Sequence, residues 1–285
     1  MVNNLNDKNS DVSIALTFDF DSYTNWIGSI KETSLSMISR GEFGPIGTRR
    51  ILNLLGKHNI KSTFFIPGGT ATSYPEIVKK IHDRGHEIGH HGWMHEDPGN
   101  LKIDEERKIL ERGIRALFEV LNTRPRGYRS PSWDNSPNTV KLLLEYDFEY
   151  ESSLMAYDYE PYWCRAGDQW SKDEPIRFGS PTSIVEMPVA WHLDDWPWLE
   201  YIPGFSQGLK TPSDVLEIWK GEFDYLYHER GKGILILTMH PQCIGRGHRL
   251  LMLEDFIKYV STFPGVKFTR CIDYVRNWRN GNNPE

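Results

Sequence analysis

Short apolar runs, rich in β-branched and aromatic residues, recur along this chain with helical patterns between them. The clearest are IALTF (14–18), TFFI (63–66), HEIGH (86–90) and ILILTM (234–239). Runs this short and this uniformly apolar suit strands covered on both faces. Shorter strands are expected at 127–129, 149–152 and 266–269. Amphipathic stretches at 48–59, 75–84, 102–122, 138–146, 213–229, 248–262 and 273–280 read as helices. Repeated β-α units of this kind imply a parallel α/β architecture. Seven or eight such units predict a barrel. An open doubly wound sheet is the alternative, although the first βα turn carries neither GxGxxG nor a P-loop. No internal repeat or low-complexity linker divides the 285 residues. A single domain is therefore expected over 12–280, between tails at 1–11 and 281–285.

Charge and cysteine usage narrow the setting. Lys and Arg number 33 against 39 Asp and Glu, a net charge of −6 with no basic run. That argues against nucleic-acid and anionic-membrane partners. The three cysteines, Cys164, Cys243 and Cys271, form no CxxC. A disulfide framework and a thiolate zinc site are excluded, and a reducing compartment fits. The polar start MVNNLNDKNSDVS has no apolar signal core, and no long apolar run occurs. A cytoplasmic protein is the expectation.

In a βα barrel the C-terminal ends of the strands converge on one face, so polar residues directly after apolar runs are the candidates for chemistry. IALTF is followed by Asp19-Phe20-Asp21, HEIGH by His91-Gly92-Trp93-Met94-His95, and ILILTM by His240-Pro241. The strand at 127–129 runs into Arg129-Ser130-Pro131-Ser132-Trp133. His91 and His95 are spaced i, i+4 and reach one point if the backbone turns helically there. Two neutral imidazoles and one carboxylate leave a divalent ion open positions for water and substrate. Such an ion acidifies water and polarises a carbonyl. Asp19 and Asp21 point the same way in an extended segment. One can ligate while the other accepts a proton. The plainer readings are that HxxxH arises by chance, that a single Asp serves a turn, and that His86 and His90 pack in a strand. Cys243 lacks the partner pattern of a nucleophile.

The ordered set TFDFD (17–21), GHEIGHHGWMH (85–95), RSPSW (129–133) and LTMHP (237–241) resembles the polysaccharide deacetylase family, the NodB-homology group of carbohydrate esterases. The resemblance runs over residues 13–278. The usual family motif has adjacent Asp residues, TFDD; Phe20 separates them here. Four further stretches are similar to the intracellular branch with peptidoglycan deacetylase-like proteins, bacterial allantoinases and cyclic imidases. They are ISRGEFGPIGTRRIL (38–52), SSLMAYDYEPYW (152–163), VEMPVAWHLDDWP (185–197) and HPQCIGRGHR (240–249).

The resemblance implies a distorted (β/α) barrel and hydrolysis of a non-peptide C–N bond by metal-activated water. Some allantoinase-type members are metal-independent, so the metal expectation rests on the intact Asp21, His91 and His95. Those three would hold one divalent ion, zinc first. Asp19 would be the general base, oriented by Arg129 through a charge-assisted hydrogen bond. His240 would be the general acid on the leaving nitrogen. The metal, with a backbone N–H, would stabilise the oxyanion. Trp133, Trp191 and His192 are candidate substrate-binding residues. The aromatic loop around Trp191 suits either a pocket wall or a subunit interface, in a homo-oligomer such as a dimer or tetramer. His248 is a further candidate for the pocket lining. Arg246 and Arg249 could bind an anion or cap a helix. Asp194 or Asp195 could tune His240.

The expected substrate is a small cyclic imide, ureide or related amide. An N-acetyl amino sugar of peptidoglycan or chitin type is the alternative. A non-catalytic metal- or carbohydrate-binding scaffold would be marked by loss of Asp19, Arg129 or His240, and all three are present.

Overall fold

The computed structural model of the chain describes residues 10–204, 206 and 208–284. The expected tail residues 1–9 and Glu285 lie outside that set. Strand β1 (Asp11–Asp19) begins three residues before the apolar IALTF run, and it is the hub of the sheet. β8 (Lys232–Met239) pairs with its whole length on one edge, from Asp11↔Lys232 to Phe18↔Met239. β2 (Thr63–Ile66) takes the upper part of the other edge and β9 (Val266–Phe268) the lower part. The sheet continues from β2 through β3 (Glu87–His90), β4 (Gly127–Tyr128), β5 (Tyr150–Glu151) and β7 (Ser180–Glu186) to β6 (Tyr162–Ala166). All pairs are parallel except β6 with β7. No pairing joins β6 to β8 among the described residues. The curled sheet is therefore a distorted (β/α) barrel in a single domain, left open on that side.

Strands β6 and β7 fall in the aromatic, Gly- and Pro-containing stretch where no period is visible in the sequence. The physical reason is exposure. β6 is half-buried and only the last three residues of β7 are buried. Neither carries the continuous apolar signal of a central strand.

Alternation along the strands sorts side chains to two faces. Val12, Ile14, Leu16 and Phe18 join Phe64, Ile66, Leu235, Leu237 and Met239 in the outer core. There they meet the apolar sides of helices Gly44–Lys57 (Leu52, Leu55), Pro75–Asp83 (Val78, Ile81) and Gly247–Val260 (Leu253, Phe256). The opposite positions, Ala15, Phe65, Tyr150, Ile234 and Ile236, fill the barrel interior. Glycine is required at two interior points. A Cβ on Gly89 would lie 2.5 Å from the Phe65 ring, and one on Gly127 would lie 2.1 Å from the Tyr150 ring. Among the described residues, no helix is long and apolar enough to cross a membrane.

Candidate active site

The strand parity that fills the interior also builds its upper end. Counting in twos from Ala15 gives Thr17 and Asp19, and from Ile236 gives Thr238 and His240. The same count from Glu87 gives His91, and from Gly127 gives Arg129. Asp19, His91, Arg129 and His240 thus arrive on one face at the ends of β1, β3, β4 and β8, with β2 between β1 and β3. His90, one residue out of step, points into the outer layer. There its Nε2 donates to Leu110 O (3.1 Å) and its Nδ1 accepts from Gly92 N–H (3.1 Å). His86 accepts from Ser62 N–H (3.1 Å). Both serve packing, and burial pushes each down to about 4.

Asp21, His91 and His95 each offer one ligand atom within 4.8 Å of the others, and all are buried. His95 does not reach its place by a helical turn. Residues 91–95 form an irregular loop with Gly92 at φ 73° and His95 at φ 61°. The loop is pinned by Gly68 N–H to Gly92 O (3.0 Å) and Gly69 N–H to Trp93 O (2.8 Å). It also lies close to the helix Thr24–Gly28, where a Cβ on Gly28 would sit 1.7 Å from Met94 O.

Partners fix both ring orientations. His91 Nδ1 lies 2.8 Å from Arg129 O, a carbonyl that can only accept, so Nδ1 carries the proton. His95 Nδ1 lies 2.7 Å from Ser29 Oγ, whose single proton faces Asp97 Oδ1 (2.8 Å) or His95 O (2.7 Å). That hydroxyl therefore accepts from His95. Both Nε2 lone pairs are left facing Asp21, at 3.4 Å for His91 and 3.7 Å for His95.

Burial drives His91 well below the ordinary imidazole range and His95 down to about 3, so both rings are neutral. Burial likewise pushes Asp21 well up, with the Asp19 and Asp194 charges adding and His240 opposing. Neither oxygen of the Asp21 carboxylate has a hydrogen-bond partner. An orphaned buried carboxylate facing two imidazole lone pairs is the donor set that suits a divalent cation.

Two further pairs flank this group. Arg129, fully buried, donates from Nη1 to Asp19 Oδ1 (2.8 Å) and Thr17 Oγ1 (2.9 Å). Its Nε and Nη2 donate to Ser152 O (3.0 Å) and Ser152 Oγ (2.9 Å), and its guanidinium lies 4.2 Å from the Phe65 ring centre. On the other side His240 Nδ1 contacts Asp195 Oδ1 at 2.7 Å, and His240 N–H donates to both Asp195 oxygens. Burial alone would lower His240. The Asp194 charge and the Asp195 hydrogen bond and charge outweigh it and push His240 up to about 10. Of the two candidate tuning residues, Asp195 thus makes the hydrogen bond, while Asp194 Oδ1 stands 3.5 Å off and accepts from Trp196 N–H.

Over the group lies a cavity of about 180 Å³ with Trp133, Trp191, Trp196, Ile30 and Ile202 in its walls. Trp133 packs on Trp191 with ring centres 4.4 Å apart, and Trp196 lies 5.1 Å from the His240 ring. His192 is not brought here. The turn Trp191–Leu193 sends it outward, where its Nε2 lies 3.3 Å from Glu222. His248 is exposed, Arg246 lies over the Phe43 ring at 3.6 Å, and Arg249 donates from Nη1 to Cys243 O (2.9 Å). Burial and the Asp195 charge hold the Cys243 thiol up, which removes it as a nucleophile. Ser29, Asp97 and Asn25 join the site without a motif to announce them.

Residues 6–150 match the family model described as polysaccharide deacetylase. A peptidoglycan deacetylase from Helicobacter pylori (strain ATCC 700392 / 26695) is 35% identical over 272 residues, covering 90% of this chain and 93% of that protein. The chain belongs to the polysaccharide deacetylase family. Its class is that of hydrolases acting on carbon–nitrogen bonds other than peptide bonds. Two solved structures extend the likeness along nearly the whole deacetylase-family chain. A polysaccharide deacetylase family protein from Mycobacterium smegmatis has 36% identity and a TM-score of 0.85, covering 98% of this chain and 96% of its own. The PuuE allantoinase has 25% identity and a TM-score of 0.80, covering 97% and 93%. Of the proteins it resembles, one is thus named a peptidoglycan deacetylase and another an allantoinase.

Proposed function

We propose that this enzyme hydrolyses a C–N bond of a small cyclic imide, ureide or related amide, with one divalent ion, zinc first, held by Asp21, His91 and His95. The observation that carries the reading is the partnerless Asp21 carboxylate facing two neutral imidazoles, with Asp19–Arg129 and His240–Asp195 on either side. When bound, the ion supplies Lewis-acid polarisation of the carbonyl and acidifies water. Asp19 takes the proton of the attacking water through the oxygen that Arg129 does not hold. Arg129 fixes the plane of that carboxylate by its fork of donors. His240 hands a proton from Nε2 to the leaving nitrogen, while Asp195 holds Nδ1 and keeps the ring charged until transfer.

Cavity size supports the small substrate. About 180 Å³ is below the roughly 300–1,000 Å³ of clefts that take drug-sized ligands. The second reading, N-deacetylation of an N-acetylglucosamine-containing glycan, is supported by the peptidoglycan deacetylase relative. A panel on metal-loaded enzyme separates them. Succinimide, hydantoin, dihydrouracil and allantoin are set beside N-acetylglucosamine oligomers, with ring opening and acetate release followed together. Ring opening supports the first reading. Acetate release alone replaces it with the second.

A further inference from the structure

Two carboxylates meet without a cation on the outer face of the sheet. Glu151 ends β5 and Glu186 ends β7, the two are paired in register, and both are fully buried. The Ser153 N–H donates to both at once, to Glu151 Oε2 (3.0 Å) and to Glu186 Oε1 (2.9 Å). Glu186 Oε1 also accepts from Leu154 N–H (2.9 Å). The other titratable groups facing the pair are neutral. Cys164 and Tyr162 come from β6, with the thiol 3.5 Å from Glu186 Oε2, and Tyr128 comes from β4; burial pushes all three up. The helices Ile103–Leu121 and Thr139–Glu145 pack Leu110, Val140, Leu142 and Leu143 around Tyr128 and Cys164. Arg165 of β6 is turned to Asp168 instead (3.0 Å). Two buried carboxylates that share one donor and have no counter-charge cannot both ionise, so the pair keeps a proton.

The segment that this pair grips is the one that holds Arg129. Alternation continued past the end of β5 turns Ser152 inward and Ser153 outward. Ser152 O accepts from Arg129 Nε (3.0 Å), and Ser152 Oγ accepts from Arg129 Nη2 (2.9 Å). Ser153 Oγ accepts from Ser130 N–H (2.8 Å) and donates to Glu151 Oε1. Arg129 is therefore held by its side chain through Ser152 and, one residue on, by its backbone through Ser153. Its Nη1 in turn holds Asp19 Oδ1 at 2.8 Å. Every residue in this chain of contacts is buried. Apolar side chains at 151 and 186 would cost less to bury, but they could not accept the Ser153 and Leu154 N–H groups.

We propose that Glu151 and Glu186, with one proton shared between them, are positioning residues that set Arg129 and, through it, the Asp19 base. This rests on the Asp19–Arg129 reading above and is independent of which amide is cut. The test compares wild type, Glu186→Gln, Glu186→Ala, Ser153→Ala and Asp19→Asn on the best substrate of the panel, with kcat, KM, bound metal and the urea midpoint measured on each. Glu186→Gln keeps an acceptor for Ser153 and Leu154 and supplies donors in place of the shared proton, so its kcat should stay within roughly threefold of wild type. Glu186→Ala and Ser153→Ala should each lose roughly 10–100-fold in kcat, the scale of a misplaced catalytic group, with KM and metal content near wild type. Ser153→Ala leaves both carboxylates in place and carries the test if Glu186→Ala does not fold. The infrared difference between wild type and Glu186→Gln at neutral pH should show the carbonyl band of one protonated carboxyl. If that band is absent, or Glu186→Gln falls as far as Glu186→Ala, the shared proton is refuted and the proposal with it. If Ser153→Ala keeps the wild-type kcat while Asp19→Asn loses it, the positioning role falls and the Asp19 reading stands. If Asp19→Asn keeps the wild-type rate, both fall.

Discussion

Asp19→Asn separates the proposed base from the metal set and from the fold in one substitution. The change is isosteric. Asn can still accept the Arg129 Nη1 hydrogen bond now seen at 2.8 Å, but the negative charge opposite a fully buried guanidinium is gone. Arg129 keeps its three other bonds, to Thr17 Oγ1, Ser152 O and Ser152 Oγ. The loss is therefore about 1.5–3 kcal/mol, the scale of one hydrogen bond to a charged group. Removing one partner of a buried ion pair outright costs roughly 3–5 kcal/mol. Against a total stability of about 5–15 kcal/mol the variant folds. The rate should suffer more. An amide cannot accept the proton, and a positioned general base contributes roughly 10²–10⁴-fold, about 2.7–5.4 kcal/mol in the barrier. Three measurements decide the matter: metal per chain by elemental analysis, the urea midpoint, and kcat/KM on the best substrate of the panel. The reasoning is refuted if the metal-loaded variant stays within roughly threefold of wild type, because a general base is worth far more. Loss of metal would instead move Asp19 into the ligand set, which the 3.9 Å from its Oδ2 to His91 Nε2 makes a fair contest.

Other outcomes are expected on the same footing. His95→Ala should abolish stoichiometric metal binding. Ser29→Ala, which removes the hydroxyl holding His95 Nδ1 at 2.7 Å, should weaken metal affinity roughly 10–100-fold; equal metal titrations for Ser29→Ala and wild type would contradict this. Glu186 is buried beside Glu151, and burial first, then the Glu151 charge, raises its pKa well above the usual carboxylate range. A raised folded-state pKa gives stability that is present below the unfolded value of about 4.3 and is lost as pH rises through the folded one. Glu186→Gln should therefore flatten the fall in unfolding free energy above that pH, and parallel pH–stability curves for the two proteins would rule the account out. Trp170, Phe178 and Leu209 are more than half exposed. Such residues on loops fit a homo-oligomer, so light scattering should give the mass of a dimer or tetramer, and a monomer at micromolar concentration would defeat that expectation.

How much of this was legible in the sequence follows from where regular periodicity stops. The period-two alternation of β1, β3, β4 and β8 runs unbroken into Asp19, His91, Arg129 and His240. A reader of strand ends can therefore name all four. The same parity sets aside His90, adjacent to a ligand candidate yet facing the outer core. Beyond the strand ends the signal fades. His95 converges through a left-handed loop rather than the helical turn that its spacing suggests. Asp195 arrives through a long-range backbone pairing, Asp195 N–H to Thr238 O at 3.0 Å, which no local pattern records. Ser29 and Asn25 come from an irregular segment after Asp21 whose path is set by Thr24 and Gly28 rather than by any period.

One distinction cannot be read from residue type or periodicity. His91, His95 and His240 are the same residue type, buried in the same cavity, and burial acts on all three in the same direction. Yet His95 falls to about 3 while His240 rises to about 10. The difference is the group on the far ring nitrogen. His91 and His95 meet a carbonyl and a hydroxyl, which fix a neutral tautomer with Nε2 free to ligate. His240 meets the Asp194 charge 3.5 Å from Nδ1 and the Asp195 carboxylate hydrogen-bonded to it, which together hold a second proton on the ring. The proposed ligand and acid roles thus follow from neighbours on distant loops. Exchanging those neighbours, rather than the histidines, is what would exchange the roles.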